Sequence, residues 1–136
     1  MMQGPKVLFV CVENAARSQI AEGFFRKFAT KFEVVSAGTE PKSELNPVVI
    51  DVMKEVGVDI TNQKPKILSN EMIKDSIRTI NMGCMDRESC PSLFASNVLD
   101  WDIADPKEKT IEEVRKIRDQ IKFEVLALIK KLEDEI

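Results

Sequence analysis

The chain has 136 residues and a formal net charge of −3, with 20 Lys and Arg against 23 Asp and Glu. This length predicts one domain over residues 1–136, burying roughly two-thirds of its unfolded surface, and the mildly acidic balance with no basic stripe argues against nucleic acid as a partner. Histidine and tyrosine are both absent, which excludes histidine-dependent triads and His-ligated metals and leaves acid–base work to carboxylates, lysines and thiols.

In chain order, Lys6 to Cys11 reads as a buried strand, and Ser18 to about Lys31 as a helix with Ile20, Phe24 and Phe28 at four-residue spacing. Glu33 to Ala37 forms a second strand ending at Gly38. Asn46-Pro47 opens a helix with a cap residue and a first-turn proline; Val49, Val52, Met53 and Val56 are its apolar face, and Gly57 its stop. Ile67 to Lys74 reads as a short helix, Ser76 to Met82 as a third strand and Val98 to Trp101 as a fourth. Thr110-Ile111-Glu112-Glu113 is a capping box that starts a long final helix, whose face is Val114, Ile117, Ile121, Val125, Leu128 and Leu132. The alternation predicts an α/β domain with a four-stranded parallel sheet and helices on both faces. Met1 to Pro5 leads into the first strand without an apolar signal region, and no stretch approaches the ~20 apolar residues of a membrane span. The expectation is a soluble, cytoplasmic protein.

Chemistry concentrates where the first strand meets the first helix: Cys11-Val12-Glu13-Asn14-Ala15-Ala16-Arg17-Ser18. A loop at this junction turns backbone N–H groups and the positive end of the helix toward one point. An oxyanion there meets those amides, the Arg17 guanidinium and the Cys11 sulfur. A field that holds anions also favours thiolate, the nucleophilic form of cysteine. A plainer alternative is an inert Cys11 ending a core strand, but it leaves Arg17 and Ser18 unexplained. The second cysteine-bearing region is Gly83-Cys84-Met85-Asp86-Arg87-Glu88-Ser89-Cys90-Pro91; three thiols in a cytosolic chain point to chemistry rather than to structural staples.

The Cys-x-x-Asn-x-x-Arg-Ser pattern of Cys11, Asn14, Arg17 and Ser18 resembles the low-molecular-weight tyrosine phosphatase family, and within it the thioredoxin-coupled arsenate reductases. Gln19 to Gly23 resembles the reductase continuation, Ser36-Ala37-Gly38 a shared segment, and Asp105-Pro106 the loop that bears the family's general acid. The resemblance covers essentially the whole chain. It implies that Cys11 attacks the central atom of a tetrahedral oxyanion while Arg17 and the loop amides hold the equatorial oxygens. Ser18 would donate to the sulfur, Asn14 would fix the loop through its backbone, and Asp105 would protonate the departing oxygen. It further implies that Cys84 attacks Cys11 to release arsenite, that Cys90 resolves the bond, and that thioredoxin or a similar dithiol reduces the Cys84–Cys90 disulfide. Phosphate or sulfate would mimic arsenate, and neither a cofactor nor a metal is implied; a zinc site is disfavoured because the pair is not Cys-x-x-Cys.

Six residues along a helix rise ~9 Å, beyond the ~7 Å Cα limit for a disulfide. If residues 83–92 are helical when reduced, they must unwind to close Cys84 to Cys90. Four departures from the family pattern stand out. Glu13 replaces the usual glycine and should repel an anion unless it points away. Ala16 stands where a second loop cysteine is common, and the Cys84–Cys90 segment is short. Lys107 stands where phosphatases carry tyrosine, so an aromatic substrate pocket is poorly equipped. The rivals to a reductase are a phosphatase using Cys11, Arg17 and Asp105, and a non-enzymatic oxyanion-binding or redox-sensing module.

Overall fold

The computed structural model describes residues 4–82 and 98–135. Strands β1 (Lys6–Cys11), β2 (Glu33–Gly38), β3 (Ser76–Asn81) and β4 (Val98–Asp100) form a parallel sheet in the order β2-β1-β3-β4. The helices among the described residues are α1 (Arg17–Phe28), α2 (Pro47–Lys54), α3 (Asn70–Lys74) and α4 (Ile111–Asp134).

β1 lies inside the sheet, and Val7, Leu8, Phe9 and Val10 are all 0 % exposed. A strand covered on both faces needs a continuous apolar run rather than alternation, which is the pattern these residues have. Val7, Phe9 and Cys11 face the larger core, which they share with Ile20, Phe24 and Phe25 of α1, Val49 and Val52 of α2, and the apolar stripe of α4. Leu8 and Val10 face a smaller core with Ile73 of α3, flanked by Leu68 and Met72. Helices therefore cover both faces, as the element order predicts. Phe9 is the hub of the larger core. Its ring contacts Phe25 edge-on at 5.8 Å and Trp101 at 5.7 Å between centroids.

Two boundaries differ from the sequence expectation. α1 ends at Phe28 rather than near Lys31, because Ala29 turns extended and the chain drops Phe32 onto Phe25 before starting β2. The expected helix over Ile67–Lys74 is present only from Asn70, where the Ser69 side chain caps Met72 N–H at 3.2 Å. The preceding residues are extended because their backbone is engaged elsewhere. Gly38 N–H donates to Lys66 O and Leu68 N–H donates to Gly38 O, both at 2.8 Å, extending the edge beyond β2. Phe28, expected on the core face, is instead partly exposed and stacks on Phe24.

The other signals act as read. Asn46 caps α2 by accepting from Val48 N–H at 2.9 Å. Gly57 (φ +77) closes α2 in a Schellman motif, with Val58 N–H to Met53 O and Gly57 N–H to Lys54 O, both 3.0 Å. Thr110 caps α4 by accepting from Glu113 N–H at 3.2 Å. No described helix is long and apolar enough to cross a membrane. Because the strands are parallel, Cys11, Gly38, Asn81 and Asp100 end at one edge of the sheet. Ligands of such sheets bind outside this edge.

Candidate active site

The loop 12–16 leaves the carboxyl end of β1 and enters α1 at Arg17. Ala16 at the N-cap carries no side-chain acceptor, so the first-turn amides keep their donors for a ligand. Cys11 is 3 % exposed, at the base of a cavity of about 350 Å³ that Val12, Glu13, Ala15, Ala16, Arg17, Asp105 and Lys107 also line. Among the described residues this lining contains no aromatic ring.

Asn14 holds the loop's shape. It is fully buried and left-handed (φ 50), a conformation that asparagine tolerates better than most residues. Its Nδ2 donates to Ser18 Oγ at 2.7 Å and to Ser36 Oγ at 3.0 Å, while Oδ1 accepts from Lys66 N–H at 2.8 Å. The sequence expectation had Asn14 bonding the loop's own backbone; the observed partners lie on α1, β2 and the stretch before α3. Among the described residues, Gln19 braces the loop backbone from a side chain nearby, its Nε2 donating to Asn14 O at 2.9 Å.

These bonds also orient Ser18. Its oxygen lies 2.9 Å from Cys11 Sγ and already accepts from Asn14, which leaves its own proton to point at the sulfur. Ser36 in turn donates to Oε1 of Glu22 at 2.5 Å, a carboxylate only 3 % exposed. Arg26 pairs with the other Glu22 oxygen at 2.8 Å, and the Lys66 ammonium lies 3.8 Å from the first. A polar chain thus runs from the Cys11 sulfur to a buried, charge-balanced carboxylate. Glu22 and Lys66 were not singled out from the sequence; each meets the chain through residues more than a dozen positions away.

Arg17 is 8 % exposed and its position is fixed by carbonyls: Nη1 donates to Met82 O at 3.1 Å and to Ile103 O at 3.0 Å. Its Nη2 lies 3.6 Å from Asp105 Oδ2, so cation and carboxylate meet at the cavity wall. Asp105 is half exposed, and its Oδ1 accepts from Lys107 N–H at 3.0 Å. Glu13 does not point away from the anion loop but lines its cavity, and Lys42 and Lys107 offset its charge at 3.7 and 3.8 Å. Gly38 explains how the loop fits against β2. A Cβ there would lie 2.4 Å from Val12 O and 2.8 Å from Cys11 O. Cys11, Val12, Glu13, Asn14, Ala15, Ala16, Arg17, Ser18 and Asp105 thus share one place. Cys84, Cys90 and the expected unwinding of residues 83–92 lie outside the described residues.

Residues 6–136 match the low-molecular-weight phosphotyrosine protein phosphatase family along their whole length. The chain belongs to that family. Among its relatives, an arsenate reductase of Staphylococcus aureus (strain Newman) is 38 % identical over 123 residues, covering 88 % of this chain and 92 % of that protein. A solved arsenate reductase in the phosphate-binding state superposes with a TM-score of 0.84 at 35 % identity, covering 93 % of this chain and 98 % of the other. The thioredoxin-dependent arsenate reductase Cg_ArsC1' of Corynebacterium glutamicum gives a TM-score of 0.83 at 37 % identity, over 98 % of this chain and 64 % of that one. Among members of this family, the chain is therefore similar over most of its length to arsenate reductases.

Proposed function

We propose that this protein reduces arsenate to arsenite through Cys11, Cys84 and Cys90, with thioredoxin or a similar dithiol protein as electron donor. The observation that carries the reading is the Cys11 sulfur at the base of an anion cavity, with Ser18 aimed at it and Arg17 and Asp105 beside it. The similarity to arsenate reductases supports the substrate, and the sequence supplies the two further thiols that reduction requires.

In this mechanism, arsenate enters the loop with its oxygens toward the α1 amides and Arg17. The Cys11 thiolate attacks arsenic(V), and an arsenate oxygen departs as water with a proton supplied by Asp105. Cys84, as thiolate, then attacks the Cys11 sulfur. An S–S bond forms, the S–As bond breaks, and its electron pair stays on arsenic, which leaves as arsenite, arsenic(III). Cys90 attacks Cys84, freeing Cys11 and leaving a Cys84–Cys90 disulfide. The donor dithiol takes up that oxidation, so two electrons pass per arsenate. Phosphate and sulfate occupy the same loop as mimics without turnover. Reduced thiols of this kind suit the cytoplasm, where we place the protein.

A phosphatase reading draws its support from the family itself. A coupled assay separates the two: reduced protein, arsenate, thioredoxin, thioredoxin reductase and NADPH. Sustained arsenate-dependent NADPH loss, abolished in both Cys84→Ser and Cys90→Ser, is expected. Hydrolysis of p-nitrophenyl phosphate that survives both substitutions, without arsenate turnover, would establish the phosphatase.

A further inference from the structure

Three side chains that the mechanism leaves idle stand at the Cys11 cavity: Glu13 and Lys107 line it, and Lys42 lines the cavity beside it. Glu13, from the anion loop, stands between two ammonium groups: Oε1 is 3.7 Å from Lys42 Nζ and Oε2 is 3.8 Å from Lys107 Nζ. Both lysines are anchored at their backbones to the site. Lys42 N–H donates to Glu13 O at 3.0 Å, and Lys107 N–H donates to Asp105 Oδ1 at 3.0 Å. Their ammonium groups remain half exposed, and neither approaches Glu13 within hydrogen-bond distance. Glu13, Asp105 and Lys107 also line an adjoining cavity of about 380 Å³ together with Lys42 and Glu44. The three side chains therefore clasp the boundary between two hollows, and the contacts holding the clasp are loose and exchangeable.

From this geometry we propose that Lys107 is a further oxyanion-binding residue, held in reserve by Glu13. The inference rests on reading the Cys11 cavity as an oxyanion site. An arriving dianion carries more charge than one carboxylate and competes with Glu13 for the Lys107 ammonium, which the cavity lining already includes. Arg17 cannot shift to meet the anion as freely, since two backbone carbonyls hold it. In the empty site Glu13 neutralises the lysine; in the occupied site the lysine turns to the oxyanion and Glu13 keeps Lys42. Asp105 and Glu44 are the other carboxylates facing this region. Glu13 thereby lowers affinity for any dianion at the loop, substrate and mimic included, which resolves why a carboxylate is tolerated there.

The test uses the reduced full chain and inorganic phosphate as the probe, with Kd read by calorimetry and by protection of Cys11 from iodoacetamide. Glu13→Gln is expected to tighten phosphate binding by about two- to five-fold at low salt, and Lys107→Met to weaken it by a similar factor. In the Lys107→Met background, Glu13→Gln should lose most of its effect, because no lysine is left to release. Two outcomes overturn the proposal. One is a Glu13→Gln variant that binds phosphate no more tightly than the parent. The other is an equal gain with and without Lys107, which would assign the effect to repulsion by Glu13 alone. Arsenate turnover is measured beside it. Turnover with no change in phosphate affinity removes the clasp alone, whereas the expected affinity changes without arsenate turnover remove the reductase reading alone.

Discussion

Asn14 directs both of its amide hydrogens at serines, and the consequence reaches the sulfur one bond later. Ser18, its oxygen already taken by Asn14, has its proton free for Cys11. Ser18→Ala removes that donor and leaves an Asn14 N–H without its acceptor. We expect turnover of arsenate to fall about ten-fold or more, in line with ~1.5–3 kcal/mol for a hydrogen bond to a charged group, while circular dichroism stays native. Gly38 acts through space rather than through bonding. A methyl at Gly38 would press on Val12 O and Cys11 O, both backbone atoms that cannot swing aside. Gly38→Ala should displace the anion loop and cost roughly a hundred-fold in kcat/KM, the scale of a 1 Å misplacement, with a folded protein by near-UV spectra. At this scale the sequence is informative about residue type and about the nearby Ser18–Cys11 pair, and silent about partners far along the chain. Cys11, Arg17, Ser18 and Asp105 are legible because they cluster in short motifs. Lys66, whose amide meets Asn14 across 52 positions, carries no local signal.

At the scale of elements, caps and breakers are legible because they act within a turn: Asn46, Gly57 and Thr110 all behave as their chemistry dictates. The misplaced start of α3 has the opposite cause. Periodicity could not show that Gly38 pairs with the backbone on either side of Ile67. Between helices, α4 is tied to the end of α2 by a charge cluster. Arg118 donates to Val52 O at 2.8 Å and to Glu55 at 2.9 Å, and Arg115 reaches Glu55 at 2.7 Å. Hydrogen bonding from Arg115, reinforced by that from Arg118, holds the Glu55 carboxyl below its ordinary value, against an opposing loss of hydration. A carboxyl depressed in the folded state contributes stability above its unfolded value, and that contribution is lost as pH falls through the folded value. Glu55→Gln should therefore lower the Tm at pH 7, and the gap to the parent should close as the pH drops below the ordinary carboxylate range. A gap that persists unchanged at low pH would show that charge at Glu55 is not what joins α2 to α4.

For the whole molecule, the parallel sheet brings the cysteine loop, the Gly38 approach and the Asp105 loop to one edge from segments far apart in sequence. The alternating strand and helix pattern made this arrangement legible, since parallel strands force successive loops to the same side. What the pattern could not convey is how charge is distributed around the mouth, because that depends on which lysines the loops bring back to Glu13. The proposed redox relay would be a property of the whole chain in the same sense: one thiol sits at the described loop and two come from a separate segment of the sequence. Its most direct test is to treat fully reduced Cys90→Ser protein with one equivalent of arsenate and map its disulfides by mass spectrometry. A Cys11–Cys84 bridge and one arsenite released per chain are expected, with no further turnover. Free thiols at both positions, with arsenate recovered unchanged, would contradict it.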